Sequence, residues 1–303
     1  MADLIDGKAF AAKIRAEVKE DSDKLISQKQ VDPCLAVVLV GENPASKVYV
    51  GQKTKMAAEC NIKTKDFKLE ASTDQETLLK LIDELNNDSS VHGILVQLPL
   101  PKQIDERKVI DAIVVEKDVD GFHAINAGRL SIGGDMLKKA FIPCTPLGSL
   151  LLLKDHVEDL KGKSAVVIGR SNIVGKPMSQ LLIEESCTVT VVHSKTKEIE
   201  KVCSQADIIV AAIGRAEMID SKWLKDGAVV IDVGINRISI TKEDGSEGSK
   251  IVGDVDFNSA SEKASKITPV PGGVGPMTIA CLLRNTVTSL SLIHISEPTR
   301  LHC

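Results

Sequence analysis

Aromatic side chains are nearly missing from this chain: five Phe, one Tyr and one Trp occur in 303 residues, so any one of them beside a motif is informative. No stretch approaches the roughly 20 apolar residues of a membrane helix, and the acidic, mixed start is not a basic segment followed by a greasy run. The sequence therefore reads as soluble and unexported, with no membrane partner. Charge of one sign is not concentrated anywhere: 38 Lys and Arg face 42 Asp and Glu, a formal net charge of -4, which excludes nucleic acid as the main partner. The seven cysteines (34, 60, 144, 187, 203, 281 and 303) include no Cys-x-x-Cys pair and are odd in number, so neither a metal site nor a disulfide framework is expected. A reducing cytoplasm or organelle matrix fits them. Internal repeats and low-complexity runs are also missing.

What is present is a chain 43% hydrophobic, long enough for two ordinary domains. In the first third, residues 4–24 place Ile5, Phe10, Ile14 and Val18 near helical spacing, and residues 34–40 (CLAVVLV) read as a buried parallel-type strand. A helix over 45–60, a strand over 63–69, a helix over 74–85 and a strand over 91–97 continue the alternation, which predicts a mostly parallel sheet. The second half predicts strands at 164–168, 188–192, 207–213 and 228–233, with helical segments after Gly175, Lys195 and Asp220, the order of a doubly wound nucleotide-binding sheet. Between the halves, residues 141–148 (FIPCTPLG) carry two prolines and predict a stiff connection with a domain boundary near residue 146. Residues 274–288 read as a helix entered through a glycine-rich turn. Residues 291–303 (SLIHISEPTRLHC) lack an amphipathic period and contain Pro298. The run LSLIHISEPTR resembles the translation of a sequencing-library adapter, so this tail is expected to be non-native.

Several strings carry chemistry. Residues 169–177 (GRSNIVGKP) follow a predicted strand and open a predicted helix, where backbone amides and a helix amino terminus can hold a phosphate. The spacing departs from G-x-G-x-x-G and by itself fits a merely tight strand-to-helix turn equally well. The next strand ends Val191-Val192-His193-Ser194-Lys195-Thr196, without the Asp or Glu that bonds a ribose 2′-hydroxyl in NAD sites. Arg170 and Lys195 would welcome a 2′-phosphate, which favours NADP. Tyr49 and Lys53 are four apart and share a helix face. Such a pair more often decorates a surface than a catalytic site, but Tyr49 is the only tyrosine. Gln97-Leu98-Pro99 ends a strand at the edge where α/β sheets place ligands; Gln97 either caps its own backbone or holds the Lys53 amine. Lys117-Asp118-Val119-Asp120-Gly121 is an acidic turn or a site for a polar heterocycle. Residues 268–278 (TPVPGGVGPMT) hold three prolines and three glycines and predict a shaped loop beside a ligand. Nothing places Cys144 and His193 together, and both read as structural or peripheral.

Taken together, Tyr49-Val50-x-x-Lys53, Val96-Gln97-Leu98-Pro99, Lys117-Asp118-Val119-Asp120-Gly121 and Pro269-Val270-Pro271-Gly272-Gly273-Val274-Gly275-Pro276-Met277-Thr278, with Gly169-Arg170-Ser171 between the last two, resemble the methylenetetrahydrofolate dehydrogenase/methenyltetrahydrofolate cyclohydrolase family over about residues 3–290. The resemblance implies an α/β protein of two domains separated by a cleft. A βα-alternating folate-binding catalytic domain would take residues 1–145 plus a returning helix at 275–290, and a Rossmann-like doubly wound NADP-binding domain residues 146–270. It implies a catalytic set of Lys53, Gln97, Tyr49 and Asp120, in which Gln97 tunes the lysine, Tyr49 packs against the pterin and Asp120 hydrogen-bonds the pterin ring. Leu98, Pro99, Gly273 and Val274 would complete the folate site. Arg170 and Ser194 would bind the 2′-phosphate of NADP, with Thr145, Gly169, Ser171, Ile173 and Ile235 bordering the dinucleotide. A homodimer joined through the nucleotide domain is also implied. Val115 departs from the proline that many relatives carry before the acidic turn, which loosens that turn without touching Asp120.

The implied chemistry is hydride transfer from the folate methylene group to nicotinamide, followed by addition of water to the methenyl cation. A free lysine titrates near about 10.4, so acid–base work near neutrality requires surroundings that disfavour its charge by roughly 4 kcal/mol. Two other classes fit the sheet alone: a dehydrogenase of the quinate or shikimate type, which needs no Tyr49-Lys53-Gln97 group, and a non-catalytic folate or nucleotide binder.

Overall fold

A computed structural model describes residues 2–241 and 246–294. Strand β1 (Asp3–Leu4) leads into helix α1 (Gly7–Lys29), after which β2 (Cys34–Val40), α2 (Pro44–Glu59), β3 (Lys63–Leu69), α3 (Gln75–Asn87) and β4 (Gly93–Val96) alternate. Three short helices follow, α4 (Glu106–Ala112), α5 (Ala124–Ile132) and α6 (Gly134–Leu137), and then α7 (Cys144–His156). The second run comprises β5 (Ser164–Ile168), α8 (Gly175–Glu184), β6 (Thr188–Val192), α9 (Ile199–Cys203), β7 (Ile208–Ala211) and β8 (Val229–Asp232). It closes with β9 (Asn236–Thr241), β10 (Glu247–Val252), α10 (Phe257–Ser261), β11 (Lys266–Ile267) and α11 (Val274–His294). The chain divides into two units, one of residues 12–142 with 279–294, the other of residues 2–11 with 143–278.

The first unit is built on a three-stranded sheet in the order β3-β2-β4, with both pairs parallel. All seven residues of β2 are buried, as expected of a central parallel strand covered on both faces, and this explains its unbroken apolar sequence. Helix α3 buries Leu78, Ile82 and Leu85, spaced as one helical stripe, against Ala36, Val38 and Ile94. Its start is fixed by Asp74, whose carboxylate accepts from the Thr77 amide at 2.8 Å. Helix α11 contributes the buried apolar side chains Cys281, Leu282, Leu283, Val287 and Leu290.

The second unit carries a six-stranded sheet in the order β1-β11-β8-β7-β5-β6, parallel throughout, plus the antiparallel β9–β10 hairpin. Strand β5 has β6 on one side and β7 on the other, so the winding reverses there and the carboxyl ends of β5 and β7 flank a switch point. Its core gathers Val166, Ile168, Ile209, Val230, Ile267 and the single tryptophan, Trp223.

Several boundaries differ from those the sequence suggests. Residues 2–11 group with the six-stranded unit because β1 pairs with β11, and because the Ile5 amide donates to the Ile267 carbonyl at 2.9 Å. Residues 141–148 are not a stiff connector. Helix α7 already starts at Cys144, and Pro146 sits in its first turn, where a missing N–H costs no intrahelical bond. The division falls between residues 142 and 143, and the six-stranded unit runs on to residue 278, past the expected 270. After Asp220 there is only a three-residue 3-10 turn, Ser221–Trp223, because Asp220 caps the Lys222 amide and the chain must turn through Gly227 to enter β8. The hairpin β9–β10 and helices α4 to α6 had no counterpart in the pattern reading. Helix α11 continues through 291–294, into the segment expected to be non-native; the remainder of that segment, 295–303, lies outside the described residues.

One contact leaves no room for a side chain. Gly7, the first residue of α1, packs so closely on the Gly273 carbonyl that a Cβ would stand 1.9 Å from its oxygen, and the Lys8 amide donates to Gly272 O at 2.8 Å. Both sides are backbone and neither can rotate away. Gly7→Ala is expected to destabilise the six-stranded unit by about 2–3 kcal/mol, seen as a lower denaturation midpoint of Trp223 fluorescence; an unchanged midpoint would show that the contact is not tight.

Candidate active site

Helix α2 starts where the Asn43 side chain accepts from the Ser46 amide at 3.1 Å, with Pro44 at the first helical position, where its fixed φ suits the helix. One turn into α2 stands Tyr49, and Lys53 follows on the same face. The Lys53 side chain is only 5% exposed. Its amine donates to Gln97 Oε1 at 3.0 Å and lies 5.6 Å from the centroid of the Tyr49 ring, within cation–π range. Gln97 follows β4 directly, and its own amide nitrogen continues the sheet by donating to Val38 O at 2.8 Å. The Gln97 Nε2 donates to Leu98 O at 2.7 Å, which fixes the amide so that its oxygen faces the amine. Tyr49 is half-buried, and burial pushes its phenol above the usual range. The sequence left open whether Gln97 caps its own backbone or holds Lys53; it does both. Leu98 is half-buried and Pro99 exposed at the end of the same strand.

Asp120 is half-buried on the turn after the 3-10 segment Val115–Lys117. That turn lies against β4, because Gly93 has no side chain: a Cβ there would come within 2.7 Å of Val119 Cγ1. Its neighbours are structural. Asp118 is buried, with Oδ1 accepting from the amides of Gly121 and Phe122 at 3.1 and 3.2 Å. Its Oδ2 accepts from the His123 amide and Asn126 Nδ2, both at 2.8 Å. Burial raises the Asp118 carboxyl from its ordinary value, while these donors oppose the rise. Lys117 is buried too, and its three ammonium protons go to the carbonyls of Leu85, Asn86 and Asp88 at 3.0, 2.7 and 2.8 Å, which closes the carboxyl end of α3. Burial lowers the Lys117 amine from its ordinary value. The turn is tied to α11 as well: Asn285 Nδ2 donates to Val119 O at 2.8 Å, and Ser289 Oγ donates to Glu116 O at 2.6 Å. Val115 therefore sits in a turn anchored on both sides.

The remaining predicted residues all lie in the six-stranded unit. Gly169 follows β5 with φ +121, and a Cβ on it would stand 2.2 Å from the Ala212 carbonyl oxygen; a Cβ on Gly175 would stand 2.3 Å from Gly169 O. Only glycine fits either place, and the strand-to-helix turn is correspondingly tight. Arg170, Ser171 and Ile173 are exposed on it, and the Ser171 hydroxyl accepts from the Val174 amide at 3.1 Å, closing the turn just before α8. Ser194 is exposed in the turn after β6, shaped by His193, whose Nδ1 accepts from the Lys195 amide at 3.2 Å. Ile235, 51% exposed, follows β8. Gly169, Arg170, Ser194 and Ile235 thus all lie at the carboxyl edge of one parallel sheet, the edge where such sheets take ligands. Thr145 Oγ1 and Thr278 Oγ1 are 3.0 Å apart, joining the first turns of α7 and α11. Gly273 and Val274 are buried at the start of α11. Cys144 is buried, as are all six described cysteines, and none of the six is in a disulfide. Among the described residues no group of His, Cys, Asp or Glu could hold a metal.

Sequence reasoning passed over Asn126, Asn285, Asp232 and Asp254. Asn285 and Asp254 bond to segments far away in the chain, and no local period or spacing marks any of the four. A polar residue at an otherwise apolar helix position, as Asn285 is in α11, was the one available signal.

Residues 5–120 match the family model of the tetrahydrofolate dehydrogenase/cyclohydrolase catalytic domain, and residues 143–293 that of the tetrahydrofolate dehydrogenase/cyclohydrolase NAD(P)-binding domain. The bifunctional protein FolD of Paramagnetospirillum magneticum is 59% identical over 293 residues, 97% of this chain and 97% of that protein. Among solved structures, the bifunctional methylenetetrahydrofolate dehydrogenase/cyclohydrolase from Campylobacter jejuni matches with a TM-score of 0.89 at 52% identity, over 95% of this chain and 98% of that one. The methylenetetrahydrofolate dehydrogenase-cyclohydrolase of Trypanosoma brucei, complexed with NADP cofactor and an inhibitor, matches with a TM-score of 0.90 at 37% identity, over 97% of this chain and 99% of that one. Together with the fold, these matches place the chain in the tetrahydrofolate dehydrogenase/cyclohydrolase family.

Proposed function

We propose that this chain oxidises 5,10-methylenetetrahydrofolate to the 5,10-methenyl form with NADP and hydrolyses that product to 10-formyltetrahydrofolate, with Lys53 as the acid–base group of the hydrolysis. The observation that carries the reading is the buried Lys53 amine held on Gln97 Oε1 beside the Tyr49 ring. A lysine on a solvated helix face would not be held this way.

For the hydrolysis, water adds to the methenyl carbon and loses a proton; the hydroxyl so formed then gives up its remaining proton as the carbonyl forms, the bond from that carbon to N5 breaks, N5 is protonated, and the formyl group stays on N10. Lys53 is the group suited to take and return protons, and Gln97 fixes where its amine points. Tyr49 offers a ring face to the flat pterin and Asp120 an acceptor to its N–H groups. Leu98, Pro99, Gly273 and Val274 complete the substrate set.

The glycine cradle at Gly169 and Gly175, where a Cβ would meet backbone at 2.2 and 2.3 Å, fits a dinucleotide phosphate. Bound NADP supplies the acceptor for the hydride that leaves the methylene carbon. Thr145, Gly169, Ser171, Ile173 and Ile235 border the dinucleotide, and Arg170 and Ser194, one strand apart at the carboxyl ends of β5 and β6, take the 2′-phosphate. The reaction then depends mainly on orientation.

A homodimer is the proposed working form, supported by β6, an edge strand of the six-stranded sheet with Val191 39% exposed. No described helix is long and apolar enough to cross a membrane. The balanced charge supports a small-molecule substrate with no nucleic-acid partner, and the buried cysteines, none of the six described being in a disulfide, support a reducing cytoplasm as the place of work.

Lys53→Met is expected to abolish methenyl hydrolysis while the protein stays folded, measured as decay of the methenyl absorbance; undiminished decay would remove Lys53 from the mechanism. Arg170→Ala should weaken NADP by roughly 10- to 100-fold, the scale of a charge-assisted hydrogen bond, with little change toward NAD, in initial rates with the two dinucleotides. Equal losses for both would place Arg170 away from the 2′-phosphate. Sedimentation at micromolar concentration should return twice the chain mass, and a monomer there would refute the dimer.

A further inference from the structure

The chemistry above makes no use of two buried carboxylates in the six-stranded unit, Asp232 and Asp254, which are 3% and 0% exposed. Asp232 ends β8; its Oδ1 accepts from the amides of Gly234 and Asp254 at 2.9 and 3.0 Å, and its Oδ2 from the Val255 amide at 3.0 Å. Burial pushes the Asp232 carboxyl up to about 6, and the nearby charge of Asp254 adds to the rise. Asp254, so held, turns its own carboxylate to the loop after β7. Oδ2 accepts from the amides of Ile213 and Gly214 at 2.7 and 3.0 Å, and Oδ1 from the Arg215 amide at 2.9 Å and Asn236 Nδ2 at 2.8 Å. The space is cleared by glycines: a Cβ on Gly253 would stand 1.8 Å from Asp232 Oδ2, and one on Gly234 would stand 2.3 Å from Asp254 Oδ1.

Two consequences concern the nucleotide site. The exposed Ile235 is gripped on both sides, Gly234 by Asp232 and Asn236 by Asp254. The loop after β7 adjoins the phosphate turn, since Ala212 O is the atom that a Cβ on Gly169 would strike, yet three consecutive amides of that loop are already bonded to Asp254. Such a loop has carbonyl oxygens and side chains left to offer, and it suits a ligand that donates hydrogen bonds better than a phosphate. If the 2′-phosphate end of NADP lies over β5 and β6, the other end extends over β7 and β8, and that end is a carboxamide with an NH2 to donate.

We propose that Asp254, backed by Asp232, is a positioning residue for the nicotinamide end of NADP, acting through the loop at residues 213–215 and through Ile235. The proposal rests on the dinucleotide reading given above. Asp254→Asn keeps the shape but puts an NH2 where one oxygen accepts amides. It should raise the dehydrogenase KM for NADP about tenfold or more and leave the affinity for adenosine 2′,5′-bisphosphate, which lacks nicotinamide, within about twofold. Hydrolysis of methenyl substrate supplied directly, without dinucleotide, should also be retained. Asn236→Ala, which removes one donor and leaves three, should show a smaller effect of the same kind if Asp254→Asn does not fold. Parallel loss of hydrolysis and of adenosine bisphosphate binding would reduce the pair to a purely structural role, and an unchanged KM in both variants would overturn the proposal. A wild-type protein without NADP-dependent oxidation would instead refute the underlying reading.

Discussion

The hydrogen bond from Lys53 Nζ to Gln97 Oε1, 3.0 Å long, ties helix α2 to the carboxyl end of β4, and the proposed chemistry depends on it. A lysine side chain has four rotatable carbons and loses considerable freedom when ordered, so an amine that must act at one carbon needs a fixed acceptor. Gln97 meets that need because it is itself fixed twice, through its backbone amide on Val38 and its side-chain nitrogen on Leu98. Behind it stands β2, buried over its whole length, so the strand end cannot drift without breaking the core. The turn bearing Asp120 is secured to the same sheet from behind by polar groups, with Lys117 on three carbonyls, Asp118 on four donors and Asn285 reaching in from α11. A buried charge without such partners would cost several kcal/mol; here each one shapes a loop.

The six-stranded unit follows the same logic with backbone in place of a side-chain amine. Its ligand edge is made by glycines where the chain passes itself at contact distance, and by carboxylates that collect amides. Two long helices, α1 and α11, both begin in this unit, where Gly7, the first residue of α1, meets Gly273, the residue just before α11. Val274, proposed as a substrate contact, is therefore also the first residue of a helix whose far half carries Asn285.

Much of this was legible in the residues. The unbroken apolar run Cys34–Val40 announces a strand buried on both faces, and Leu78, Ile82 and Leu85 announce the helix that covers it. The Tyr49–Lys53 spacing gave a shared face, but the acceptor for the amine lies 44 residues away, and only the fold could bring it there. The hairpin Asn236–Thr241 with Glu247–Val252 escaped notice because its strands are charged and half-exposed, and because an exposed antiparallel ribbon leaves a weak apolar pattern. Proline misled at Pro146, where a break was expected and a helix start was found. Asp254 was illegible for a plainer reason: its partners at 213–215 are about forty residues upstream, and nothing in the local sequence distinguishes a loop-organising aspartate from a solvated one.

The most direct test of the account is a crystal structure of the protein with NADP and a tetrahydrofolate analogue bound. The account predicts a pterin ring stacked on Tyr49, with Lys53 Nζ still on Gln97 and within about 3 Å of the atoms that bridge N5 and N10. A pterin seated away from Tyr49, or a Lys53 amine turned from the one-carbon bridge in that complex, would contradict it.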